Sequence, residues 1–282
     1  MRLTLRTGLS ILGVIALATG GCAPQEDQDE GPPAVTASGP ETVTAPPDGV
    51  DPFYAKAIDA EGVLIVSSAA VPDAALIAAR RNVLHLLSAR PDVHAAMLAK
   101  APRISLMALS ETASDLPEFD AGADGQWGLG QMPGDPTSLV SVRGVCYPGN
   151  TEYRANFLLH EFVHVMQNLG WPTTDPGIED EIFAAYRAAV ARGEFAAPLD
   201  EPSEVTPQEA YGDDEYLTHS INAWFDLDES LPGPWVDVQI GDSGPRSGSR
   251  DELRERDAEL YALIGRFLPD SLGTLMDGCT GH

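Results

Sequence analysis

The stretch Asn156-Phe157-Leu158-Leu159-His160-Glu161-Phe162-Val163-His164-Val165-Met166-Gln167-Asn168-Leu169-Gly170 governs how the rest of the chain is read. Leu158, Phe162, Val165, Met166 and Leu169 recur at the spacing of one helix face, and Gly170 followed by Pro172 is a stop signal. The helical pattern is predicted to begin at Thr151. His160 and His164 stand four residues apart, so both rings project from one side of the helix and can reach a single ion. Zinc takes neutral imidazoles or anionic oxygens in a tetrahedral array, which this spacing supplies. Glu161 then lies beside the ion without ligating it, placed to take a proton from zinc-bound water as a general base. Apolar Phe162 and Val163 and the apolar flanks point to a buried helix. Without a metal, two imidazoles and a carboxylate there would need other partners, at roughly 1–3 kcal/mol for each group left unsatisfied.

Two imidazoles and a water leave one position for a third protein ligand. Glu179, Glu181, Glu209, Glu215 and His219 are the downstream candidates. From Asp214 to Phe225 the pattern is helical again, with Leu217, Ile221, Trp224 and Phe225 as an apolar stripe. A carboxylate near the start of such a helix can face the metal while the stripe packs on the core, which favours Glu215.

His160-Glu161-Phe162-Val163-His164, followed by Glu215-Tyr216 and Ala223-Trp224-Phe225, resembles the gluzincin metallopeptidases related to the anthrax lethal factor catalytic domain, particularly bacterial secreted members. Val145-Cys146-Tyr147-Pro148-Gly149, leading into Asn156 to Glu161, is similar to the run before the zinc helix in those proteins. The likeness covers residues 139–226 and is thinner over 51–138. It implies a zincin-like domain that hydrolyses peptide bonds with Zn2+ held by His160, His164 and Glu215, and with Glu161 as general base. Two departures stand out. Thr218 and His219 occupy positions where the relatives tend to have Ala and Glu, so His219 is read as a neighbour of the ligands or a solvated residue ahead of a direct ligand. The relatives also place an oxyanion-steadying tyrosine further upstream of the ligand glutamate. Tyr211, four residues before Glu215, is the candidate for that role if the intervening turn is shortened, and an ordinary packed tyrosine is the favoured reading of it.

Outward from this core, Pro72-Asp73 opens a helix with Leu76, Ile77, Val83, Leu84 and Leu87 at helical spacing, and Pro91-Asp92 opens another. Strands are predicted at Gly62 to Val66 and Arg103 to Leu109, an irregular Gly- and Pro-rich region over 116–136, and further helices at 178–192, 213–226 and 250–267. The expected architecture is α+β, predominantly helical, with a small sheet beside the active-site helix edging the cleft. A peptide can join such an edge as an extra strand.

The N-terminus carries Met1, Arg2 and Arg6, an apolar run from Leu9 to Ala18, and Thr19-Gly20-Gly21-Cys22. A basic start, a short apolar stretch and small residues describe a secretory signal peptide over 1–21. The cysteine placement resembles the bacterial lipobox, with Thr19 where Leu is usual, and implies lipidation of Cys22. Residues 22–50 are rich in Pro, Gly and acids and poor in large apolar groups, as expected of a flexible tether, and the metallopeptidase-like domain occupies 51–282. The chain is thus expected to cross the inner membrane and stay lipid-anchored in the cell envelope, periplasmic or surface-exposed. Cys146 and Cys279 then remain as a pair, either bridged or as two free thiols. The net charge of −26 repels phosphate backbones and argues against a nucleic-acid partner. A peptide or protein substrate is the leading expectation, and a non-catalytic envelope binding protein on the same scaffold is the alternative.

Overall fold

The hairpin that begins the sheet turns on two residues, Glu61 and Gly62, with φ of 53° and 97°. This mirror-image turn matches the right-handed twist of the strands it joins and favours glycine at its second position. It connects β1 (Lys56–Ala60) to β2 (Val63–Ser67), which pair antiparallel with Ala60 opposite Val63. In this computed structural model the described residues are 41–119, 128–129, 136–153, 156–192, 214–227 and 249–276. They lie in a compact unit spanning Val35–His282.

From β2 the chain crosses through α1 (Asp73–Ser88) and α2 (Pro91–Leu98) to β3 (Arg103–Met107), which pairs parallel to β2. β4 (Gly128–Leu129) and β5 (Thr137–Ser141) follow, β5 parallel to β3 and β4 antiparallel to β5. The sheet order is β1-β2-β3-β5-β4, so β4 forms one edge. Side chains alternate across the sheet, as the two-residue strand period requires. Ile58, Ile65, Ile104, Leu106 and Val140 enter the main core with the helices, while Ala57, Val66, Met107 and Leu139 join a smaller cluster with Tyr54, Ala113 and Leu116. With both faces covered, β2 reads as a continuous apolar run.

The fold is mixed α+β, with the helices gathered against a small sheet that includes strands the sequence pattern does not mark. β1 and β5 carry weak strand signals: Lys56-Ala-Ile-Asp-Ala60 has alanines and a charge at each end, and Thr137-Ser-Leu-Val-Ser141 buries three hydroxyl side chains. β3 ends at Met107, short of Leu109.

The central helix α3 (Phe157–Leu169) packs over β5 and against α1. It starts six residues later than the pattern predicts. Asn150 donates from Nδ2 to the carbonyls of Val142 and Val145, and accepts at Oδ1 from the Glu152 backbone N–H, which fixes residues 150–152 in a turn. Buried Asn156 then donates to Asn82 Oδ1 on α1 at 3.2 Å and stands at the helix entrance. The predicted face of α3 is buried along its length, and Gly170 ends it as expected. Trp171–Thr174 forms α4, and Ile178–Arg192 forms α5 as predicted.

Two other expected helices are broken. In the 213–226 region residues 214–219 are helical, a turn follows at Ser220, and Ile221–Trp224 forms a short helix. Ser220 Oγ bonds the Tyr216 carbonyl, an internal competitor for the helix ladder. The 250–267 pattern splits into Arg250–Arg256 and Ala258–Ile264 at Asp257, whose φ of −139° is non-helical and whose Oδ1 caps the Leu260 N–H. Cys146 is disulfide-bonded, and its Sγ lies 3.8 Å from the Leu275 carbonyl oxygen; Cys279 is outside the described residues. So are the predicted signal segment, Cys22 and most of the tether. Among the described residues no helix is long and apolar enough to cross a membrane.

Candidate metal centre

His160 and His164 face the same side of α3, one turn apart, as the helix period requires. Their Nε2 atoms are 3.3 Å from each other and their rings lie edge to face with centroids 4.9 Å apart. The helical segment 214–219 brings Glu215 against them, with Oε2 3.4 Å from His160 Nε2 and Oε1 3.6 Å from His164 Nε2. That segment is anchored from behind. Buried Tyr216 donates to Asp257 Oδ2 at 2.6 Å, Arg192 reaches the same oxygen at 2.9 Å, and Leu217 is buried in the core, which turns Glu215 towards the histidines. The capping aspartate that splits the last long helical pattern therefore also ties the C-terminal helices to the site.

These separations can be compared with what a cation needs. Zinc–nitrogen bonds of about 2.0–2.1 Å in a tetrahedron set neighbouring ligand atoms roughly 3.3–3.4 Å apart. The two imidazole nitrogens are 3.3 Å apart and each has a different Glu215 oxygen at 3.4 or 3.6 Å, spacings near those of donors around one ion, and two imidazoles with a carboxylate are a donor set that suits zinc. Glu161 also offers an oxygen, since it, His160 and His164 each have a ligand atom within 4.8 Å of the others. Glu215 is the better third donor because both of its oxygens approach an imidazole nitrogen directly, whereas Glu161 is held against the sheet.

That placement depends on a glycine. A Cβ built on Gly128 would lie 2.5 Å from Glu161 Oε1 and under 3 Å from its Cγ and Cδ. The backbone of edge strand β4 thus lies flat on the Glu161 side chain, and only a residue without a side chain allows the approach. Glu161 is 6% exposed. Burial pushes its carboxyl well above the usual carboxylate range, and the neighbouring Glu215 carboxylate pushes the same way. For Glu215, burial alone would raise the pKa, but hydrogen bonds with His160, His164 and His219 outweigh it and hold the group well below that range.

Around the triangle, Thr218 Oγ1 donates to the Asp214 carbonyl at 3.0 Å and lies 3.3 Å from His164 Nε2. Gln167, one turn after His164, donates to the Asp214 carboxylate. His219 Nε2 sits 3.2 Å from Glu215 Oε2. His160, Glu161, His164 and Glu215 are therefore brought together. Glu181 is instead paired with Arg266 at 2.5 Å, and Tyr211 and Glu209 lie outside the described residues. Gly128, Gln167 and Asp214 were not singled out by the sequence reading. For Gly128 the available signal was one glycine among several in a turn-rich region.

Comparison with family models, with curated proteins and with solved structures finds no match to this chain.

Proposed function

We propose that the chain is a zinc-dependent peptidase of the cell envelope, zincin-like in its catalytic architecture, in which His160, His164 and Glu215 hold the cation and Glu161 is the general base. The observation that carries this reading is the convergence of two imidazole nitrogens and one carboxylate: His160 Nε2 and His164 Nε2 are 3.3 Å apart, with Glu215 Oε2 3.4 Å from the first and Oε1 3.6 Å from the second. Three protein donors leave one coordination position for water or substrate, the pattern of catalytic zinc sites as opposed to closed structural ones.

Bound there, Zn2+ supplies Lewis acidity to a substrate carbonyl and to the attacking water. Glu161 takes the proton that the water loses and returns it to the leaving amine. Its burial beneath β4 excludes competing solvent. β4 ends the sheet beside Glu161, so an extended peptide that adds to this edge by backbone hydrogen bonds is delivered to the base. The excess of acidic side chains favours cationic peptides, an effect that salt weakens.

Purified full-length chain is expected to carry one zinc per molecule by elemental analysis. It should hydrolyse a mixture of denatured proteins, lose that activity on dialysis against a chelator and regain it with Zn2+. A chain that takes up no zinc at neutral pH would remove the assignment. For the anchor, Cys22→Ser should move the protein from the membrane fraction to the soluble fraction of the envelope. An unchanged membrane fraction would leave Cys22 with no part in anchoring.

A further inference from the structure

Three imidazoles converge on the Glu215 carboxylate, although two complete the donor triangle. The third belongs to His219, four residues on from Glu215 along the same helical segment, and its Nε2 makes the shortest of the three approaches, 3.2 Å to Oε2. Its ring stands edge-on to His160, with centroids 5.2 Å apart and planes at 73°.

We infer that His219 is a positioning residue for the metal-ligating carboxylate, donating its Nε2 hydrogen to Glu215 so that the carboxylate stays aimed between His160 and His164. The inference rests on the metal reading above.

Glu215 is the loosest of the three donors. Its side chain is 39% exposed, against 12% for His160 and 9% for His164, which α3 packs into place. A glutamate so exposed loses side-chain entropy when it is fixed and is open to competition from water, so the site needs something to hold it. His160 and His164 cannot donate to it once their Nε2 lone pairs are given to a cation. His219 has no such commitment and is free to donate from Nε2. A ligand in the fourth tetrahedral position would approach all three donor atoms equally. A His219 that donates its Nε2 hydrogen to Glu215 stands outside the ligand sphere and leaves the fourth position open. Partners of this kind fix a ligand's orientation, and their loss typically weakens metal binding by roughly 10–100-fold.

The test uses full-length chain, with Zn2+ affinity measured by competition against a chelator and the imidazole count of the Co2+-loaded protein taken from X-ray absorption. His219→Ala is expected to bind Zn2+ roughly 10–100-fold more weakly than wild type. His219→Gln, whose side-chain amide N–H can reach the same oxygen, is expected to bind close to wild type, and all three proteins should show two imidazoles on the metal. Wild-type affinity in His219→Ala would sink the positioning role and leave the metal site standing. Three imidazoles in wild type falling to two in His219→Ala would make His219 a ligand and equally overturn the proposal. A wild-type chain that binds neither ion would bring down the metal reading, and this inference with it.

Discussion

Glu161→Gln will keep its zinc and lose hydrolysis, with kcat/KM falling by roughly 10²–10⁴-fold. The substitution exchanges one carboxylate oxygen for an amide nitrogen in a side chain of the same length. Packing against the Gly128 backbone is therefore retained, and the triangle of His160, His164 and Glu215 is untouched. What disappears is the ability to accept a proton. Elemental analysis should return the same zinc content for both proteins, while cleavage of a denatured protein mixture separates them. Activity within a few-fold of wild type would show that Glu161 is not the base. Equal metal with both proteins inert on every substrate would restore the alternative of a non-catalytic binding protein on this scaffold.

The parts of the site that were legible from sequence share one property: they depend on a local period. His160 and His164 at i and i+4 follow from helix geometry alone, and Leu217, Ile221, Trp224 and Phe225 are buried as their pattern predicts although the helix carrying them breaks at Ser220. The parts that were not legible depend on what meets what. α3 begins late because Asn150 ties the preceding turn to Val142 and Val145, and no propensity scale contains that contact. Asp257 looks like an ordinary charge on a helical surface until Leu260, Tyr216 and Arg192 are seen around it. Central strand β5 is hard to see because Thr137, Ser138 and Ser141 are buried between neighbouring strands, where the sequence reads as a polar loop. Each of these elements nonetheless bears on the site: β5 lies under α3, Asn156 stands at its entrance, and Asp257 holds the segment that presents Glu215.

Most of the site is carried by two helical segments, but Glu161, the proposed base, is set by the sheet. A helix fixes the Cα of Glu161 and leaves the side chain free to rotate, and a buried ionisable group with that freedom would be poorly placed for proton transfer. β4 removes the freedom by laying its backbone across the carboxylate. The same two-residue strand pairs with Val140 and Leu139 of β5, so Glu161 takes its position from the sheet core.

The second large effect is expected at Gly128. Gly128→Ala adds a single methyl group whose carbon would fall 2.5 Å from Glu161 Oε1 and 2.7 Å from its Cγ, far inside van der Waals contact. Either the carboxylate rotates away or β4 lifts from α3, and in both cases the base leaves its position beside the histidines. Misplacing a catalytic group by about 1 Å can cost on the order of 10²-fold in rate, and that is the fall expected in kcat/KM. The metal triangle lies on α3 and the 214–219 segment, so zinc content should not change. The decisive comparison is the double variant. If the methyl group acts by displacing Glu161, then Gly128→Ala adds little in a Glu161→Gln background, because the group it displaces no longer transfers a proton. A full further loss in that background would mean that Gly128 serves the bound peptide at the sheet edge instead. Unimpaired hydrolysis in the single variant would mean that the contact between β4 and Glu161 has no part in catalysis.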